Sequence, residues 1–239
     1  MSSRFTEVRK RCLRNIRYTL TRPSPPPAPS PFNGPVLVLG SAPVSHKPER
    51  FDSSFSVITI NGSQSVLEGW GIEKPDITFM RYNQVKGTAK NPVEVRRVLR
   101  GKSTGALYVM LWPRNKRDEL AEGLRAFDYS YDQLHIVNRY ARMSLLDRVA
   151  GFRTLEMDDE AKCSNGVTAV LFALYHKAPA VIISGINPNS SGHIYNSADL
   201  HRQHTQMDMF VLRKLLDAGH PIFTADPTVA AEMNMPLWK

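Results

Sequence analysis

Between residues 35 and 224, short apolar runs that close on small or polar residues alternate with stretches whose apolar positions return every three or four residues. The runs at 35–40, 55–60, 76–80, 106–111, 134–137, 180–184 and 221–224 are rich in Val, Ile, Leu and Phe, and they are too short for buried helices, so they predict strands. The stretches at 65–70, 93–99, 117–126, 167–176 and 208–218 carry the helical period. Strands that are apolar throughout are covered on both faces, and their alternation with helices is the pattern of parallel crossover units. The expected fold class is therefore α/β, a single Rossmann-like domain with a mainly parallel sheet and helices on both faces. A further apolar series, Phe5, Val8, Cys12, Ile16 and Leu20, lies along one face of a helix in the first 22 residues.

Charge changes the picture of that first helix. Of a formal net charge of +9, residues 1–22 carry six: Arg4, Arg9, Lys10, Arg11, Arg14, Arg17 and Arg22 against Glu7. A basic helix with one apolar stripe suits the surface of an anionic membrane, and the alternative is a disordered arm for nucleic acid. The stripe is too interrupted for a signal peptide or a spanning helix. Residues 23–34 follow as a proline-rich linker, with Pro23, Pro25, Pro26, Pro27, Pro29 and Pro31, which predicts an extended spacer that uncouples the tail from the domain at 35–239. With only Cys12 and Cys163 available, one of them in the tail, the chain suits a reducing cytoplasmic setting, peripheral to the inner face of the membrane.

The candidate chemistry lies at the strand ends. Gly40-Ser41, Asn61-Gly62 and Ser184-Gly185 each close an apolar run, and successive parallel strands bring such ends to one edge, where open α/β sheets bind ligands. Ser164-Asn165-Gly166-Val167 opens the helix at 167–176, and a helix start offers unpaired N–H groups and positive dipole to a phosphate. Tyr195, His201 and His204 follow the Ser184 strand closely, and an imidazole can exchange a proton near neutral pH. Gly40-Ser-Ala-Pro43 has neither the spacing of a dinucleotide loop nor the lysine of a P-loop, which argues against NAD and ATP.

In their order, the turn at Gly40-Ser41-Ala42-Pro43, the strand end at Asn61, the helix start at Ser164, the strand end at Ser184, Tyr195, and the helix start with His204 and Asp208 resemble the bacterial sialyltransferases of glycosyltransferase family 42. The resemblance covers most of residues 35–230. It implies a lid segment beside the active site and transfer of a sugar acid, sialic acid or Kdo, from a CMP-activated donor to a glycan or glycolipid hydroxyl. It implies no metal and no cofactor beyond the donor. Nucleotide contacts would fall to Gly40, Ser41, Asn61, Ser164, Asn165 and Gly166, with Ser184 and Gly185 at the same edge. Of the family's phosphate-assisting tyrosine pair, which falls at Asn189 and Tyr195, only Tyr195 is a tyrosine here. The general base would be His204 or His201, with His204 preferred. The associations expected are a CMP-sugar donor, a glycan or glycolipid acceptor, peripheral membrane contact through residues 1–22 and a homo-oligomeric partner, and not nucleic acid.

Other readings have their own residues. His201, His204 and Asp208 have the spacing of three metal ligands on a helical face, and Asp158-Asp159-Glu160 is either a metal-holding cluster or a solvated acidic turn. Lys162 either contacts phosphate or is an ordinary exposed lysine. Cys163 reads as a small buried residue, and His135 and His193 as histidines with no chemical task. The first half, with Ile60-Asn61-Gly62 and Ile72-Glu-Lys-Pro-Asp76, also resembles Rossmann-like domains related to pterin pyrophosphokinases, which implies a nucleoside triphosphate and magnesium. A nucleic-acid binder built on the basic tail is the third reading.

Overall fold

In the computed structural model, residues 2–110, 116–190, 192–196 and 204–239 are described. Seven strands form one wholly parallel sheet: β1 (Val36–Leu39), β2 (Ser56–Ile60), β3 (Ile77–Arg81), β4 (Ser103–Met110), β5 (Ser130–Val137), β6 (Val181–Ser184) and β7 (Ile222–Thr224), in the order β5-β4-β3-β2-β1-β6-β7. All seven apolar runs are strands, and the fold class is the expected one. β1 and β6 are buried along their whole length, which is why their sequences are unbroken runs of Val, Ile and Leu before the closing polar residue.

The chain works outward from β1 to β5 and then returns to lay β6 on the other side of β1. Strand order therefore reverses between β1 and β6. Crossovers on either side of that point leave in opposite directions, and a crevice opens at the carboxyl ends of the two strands.

Helix α6 (Asn165–Tyr175) covers the centre of one face, where Phe172 meets Phe79 and Tyr108 edge-on at 5.3 and 5.1 Å. It is flanked there by α5 (Arg139–Ala150) and α7 (Thr205–Asp217). The opposite face carries a 3₁₀ segment (Asn61–Trp70), α2 (Tyr82–Lys86), α3 (Lys90–Leu99) and α4 (Arg117–Ala126), and α8 (Pro227–Met233) follows the edge strand β7. Helix α5 escapes the periodicity because it is wrapped on more than one side, so polar Arg142 and Ser144 are as buried as Met143 and Leu145.

The amino-terminal segment differs from expectation in its attachment. Helix α1 (Ser2–Thr21) forms, but it is docked: Tyr18 is buried and donates to Asp147 of α5 at 2.8 Å, and Arg17 lies over the Tyr140 ring. The proline segment is extended, yet it runs along the domain and does not uncouple the tail. Tyr108 donates to the Pro27 carbonyl at 2.5 Å, His176 Nε2 to that of Pro26 at 2.9 Å, and Phe32 packs against Phe172 in the core. Prolines leave their carbonyls unpaired along an extended chain, and here domain side chains take them up. Among the described residues no helix is long and apolar enough to cross a membrane.

Candidate active site

At the β1/β6 reversal lies a cleft of about 230 Å³, lined by strand ends, loops and helices. Its floor is made of two glycines. Gly40 N–H donates to the Ser184 carbonyl and Ala42 N–H to that of Gly185, each at 2.8 Å, so the turn after β1 stays fastened to the end of β6. A Cβ on Gly40 would stand 2.4 Å from the Gly185 oxygen, and Gly185 itself has φ +60. Glycine is needed at 40 for the close approach and at 185 for the left-handed backbone, where a Cβ would also stand 2.7 Å from the Gly40 oxygen.

Ser184 does not line the cleft. Its hydroxyl donates to the His46 carbonyl (2.7 Å) and accepts from the His46 N–H (2.9 Å), so it clasps the segment after β1 and leaves the strand end to Gly185. Ser41 and Asn61 are both in the lining. Asn61, at φ +52, accepts the Arg81 N–H on its Oδ1 (3.2 Å), which leaves the amide NH₂ end as the group able to donate to a ligand.

The start of α6 forms one wall. Ser164 caps the helix by accepting from Val167 N–H at 3.2 Å, and its own N–H donates to Asp208 Oδ1 at 2.8 Å. Beside it Asn165 is buried, lines the cleft and has no hydrogen-bond partner for Nδ2. A buried amide donor without a partner costs on the order of 1–3 kcal/mol, and an acceptor bound in the cleft would relieve that cost. The helix start adds roughly half an elementary charge of positive potential at the same place.

The opposite wall belongs to residues 192–196. His193 Nδ1 hydrogen-bonds Ser41 Oγ at 2.8 Å, and Ile194 N–H donates to the Ser41 carbonyl at 3.1 Å. Tyr195 stacks on His193 with rings parallel at 5.3 Å, and a Cβ on Gly62 would stand 2.9 Å from the Tyr195 ring. Tyr195 thus sits behind His193 and outside the cleft lining, and His193 is the residue of this segment that lines the cleft. Asn189, where a second tyrosine would fall, is exposed and donates to Glu232 of α8 at 2.8 Å.

His204 precedes α7 and lines the cleft. Its Nδ1 meets the Asp159 carbonyl at 2.7 Å. A carbonyl can only accept, so Nδ1 carries the proton and Nε2 is the basic nitrogen. Burial, with Arg81 and Arg142 nearby, holds the imidazole below its ordinary pKa of 6.5, while Asp159 works the other way. The ring is therefore neutral and able to take a proton near pH 7. His201 lies outside the described residues, as does the link from 197 to 203.

Among the described residues, three cations reach this cleft from places the strand-end argument did not include. Arg81 ends β3, Arg142 comes from the interior of α5, and Lys162 precedes α6. Arg142 is buried and forks onto Glu156 at 2.7 and 2.5 Å, and Lys162 pairs with Asp159 at 2.5 Å, which with other effects holds that carboxyl below its usual range. Asp158 and Glu160 are exposed in a turn, as a solvated acidic turn would be, while Asp159 between them is half-buried and also lines the cleft. Gln84 of α2 is buried at the same cleft, with its Oε1 unpartnered. Cys163 is buried, its thiol pushed up chiefly by burial and then by Asp208, so it is not a nucleophile at neutral pH. Among the described residues no group of three or more His, Cys, Asp or Glu side chains is placed to hold a metal ion.

No protein-family model matches the chain, and no curated protein matches its sequence significantly. Solved structures do match over most of its length. Monomeric CstII is 13% identical over 87% of this chain and 86% of its own, with a TM-score of 0.54. The Campylobacter jejuni sialyltransferase CstII in complex with cytidine-5'-monophosphate is 14% identical over 86% and 85%, with a TM-score of 0.52. The monofunctional α-2,3-sialyltransferase Cst-I of the same organism is 14% identical over 86% and 80%, at 0.51. The likeness read from ordered motifs thus extends to the architecture: this chain shares the fold of the Campylobacter jejuni sialyltransferases.

Proposed function

We propose that the protein is a metal-independent glycosyltransferase that moves a sugar acid, sialic acid or Kdo, from a CMP-activated donor to a glycan or glycolipid hydroxyl, with His204 as general base. The observation that carries this reading is the His204 tautomer: its Nδ1 proton is committed to the Asp159 carbonyl, so Nε2 is basic within a cleft that also contains a capped helix start. The shared fold supports the nucleotide, since CstII in that fold binds cytidine-5'-monophosphate.

The chemistry divides between the two walls. His204 Nε2 takes the proton of the acceptor hydroxyl as its oxygen attacks the anomeric carbon, a task worth about 10²–10⁴-fold. The bond from the anomeric carbon to the phosphate oxygen breaks, and CMP leaves with that electron pair. Negative charge growing on the phosphate falls at the α6 start, with the Asn165 amide and the Lys162 ammonium beside it. One phosphate ester needs less neutralisation than a diphosphate, so these groups replace a divalent ion. Peripheral membrane contact on the cytoplasmic side completes the reading. Val8, Leu13, Ile16 and Leu20 of α1 are exposed among basic side chains, while Tyr18 faces the domain.

Calorimetry and turnover test it together. CMP should bind in EDTA, and ATP with magnesium should not. His204→Ala should keep CMP affinity while turnover falls at least ~10²-fold, because the lost contact acts at the transition state. Binding of CMP that requires magnesium, or normal turnover in His204→Ala, would overturn the assignment. The full chain should sediment with vesicles containing an anionic lipid and remain in solution with neutral ones.

A further inference from the structure

The wall that holds His204 is the stretch from Gly151 to Cys163, which joins α5 to α6 without regular secondary structure. Such a stretch has no ladder of its own to hold its carbonyls. Its middle is fastened from outside the domain core. Arg14, on the domain-facing side of α1, donates from Nη1 to the carbonyls of Leu155 (2.5 Å) and Glu156 (2.6 Å). Glu156 stands at φ +48, a left-handed conformation that a glutamate adopts only when its surroundings enforce it. Its carboxylate is buried and forked by Arg142, with Arg139 Nε a further 3.9 Å contact. Arg142 lines the cleft, and three residues beyond Glu156 the Asp159 carbonyl fixes the His204 ring.

We propose that Arg14 is a positioning residue for the cleft: from α1 it locks the backbone at Leu155 and Glu156, and through them the places of Arg142 and of the Asp159 carbonyl that orients His204. The amino-terminal helix is then part of the active-site frame as well as a surface. Two contacts separate Arg14 from the cleft lining along one branch, and three residues of chain separate Glu156 from the His204 contact along the other. The catalytic role of His204 rests on the function proposed above, whereas its position does not, so the two can fail separately.

The test reads the His204 ring directly in the full chain. Among the described residues, the charged and titratable groups around it are Asp159 and Lys162 of the wall, Arg142 of α5, Arg81 of β3, Asp208 of α7 and His193 across the cleft. Imidazole NMR across pH 5–8 should show the His204 midpoint rising toward 6.5 in Arg14→Met, as the ring loses its enclosure, and amide exchange at 155–163 should quicken at least about tenfold. Arg14→Lys, which keeps the charge and part of the donor set, should shift both in the same direction and by less; if the Met variant does not fold, this variant decides. Tyr18→Phe removes a different bond between α1 and the domain, the one to Asp147, and should leave both readouts unchanged. An unmoved His204 midpoint with unchanged exchange in the Arg14 variants overturns the proposal, and so does an equal shift in Tyr18→Phe, which would make the effect one of helix docking alone. If the His204 midpoint moves while CMP fails to bind the wild-type chain, the positioning stands and the assigned reaction falls.

Discussion

At single positions the cleft is defined as much by missing side chains as by those present. A methyl on Gly40 would press on a backbone oxygen at 2.4 Å that is itself held in the β1/β6 junction, and it has nowhere to go. A methyl on Gly62 would meet the Tyr195 ring at 2.9 Å, and that ring belongs to a segment joined to the domain by Ser41 and its neighbours. The two substitutions should therefore fail differently. Gly40→Ala should lower stability by about 1–3 kcal/mol, the cost of overpacking against an immovable neighbour, read as a lower urea midpoint. Gly62→Ala should lower the midpoint by less, since a side chain and not backbone gives way, and should displace Tyr195 and His193, weakening CMP binding about tenfold by calorimetry. Equal stability losses in both would show that residues 192–196 are as rigid as the strand junction.

Among the elements, the inner strands were legible because burial on both faces leaves no room for polar alternation, whereas of the edge strand β5 only the 134–137 end was legible, since its first half, Ser130 to Gln133, is polar and largely exposed. The Gly40, Ser41, Asn61, Ser164, Asn165, Gly166 and Gly185 positions were legible because parallel strand and helix ends converge by topology. Arg81, Arg142 and His193 were not. Arg142 sits in a helix whose polar and apolar positions are mixed by multiple neighbours, and His193 is placed by long-range contacts, among them the hydrogen bond to Ser41 across 152 residues of chain. The proline segment misled for a related reason. Composition predicts its extended shape correctly, but says nothing of which surface it follows. Phe32 is the anchor, in edge contact with Phe172 at 6.2 Å. Phe32→Ala should cost about 3–5 kcal/mol, the range for deleting a buried aromatic side chain. Removing residues 1–34 should lower the melting temperature by several degrees or more; a truncated domain melting with the full chain would restore the picture of a free spacer.

For the whole molecule, three histidines among the described residues tie stability to pH in one direction. Burial lowers the pKa of His135, which stacks on Tyr108, of His176, which reaches the Pro26 carbonyl, and of His204 in the cleft. Above their ordinary value of 6.5 all three are neutral in folded and unfolded chains alike, and they contribute no pH dependence. Below it the unfolded chain takes up protons that the folded chain resists, so stability falls with pH until the lowered folded values are passed. The formal charge of +9 makes each added proton less welcome in the compact state and pushes the same way. Carboxylates held low by hydrogen bonds and neighbouring cations, Asp159 by Lys162 among them, add a separate loss below about pH 4, when they are forced to protonate. The urea midpoint should therefore be level from pH 8 to 7, fall between pH 6.5 and 5, and fall again below 4. His176→Gln keeps an amide donor for the Pro26 carbonyl but cannot titrate, and it should reduce the first fall while leaving the second intact. A midpoint that stays flat from pH 7 to 5 in the wild-type chain would mean that the three rings protonate without penalty, contrary to the enclosure described for each of them.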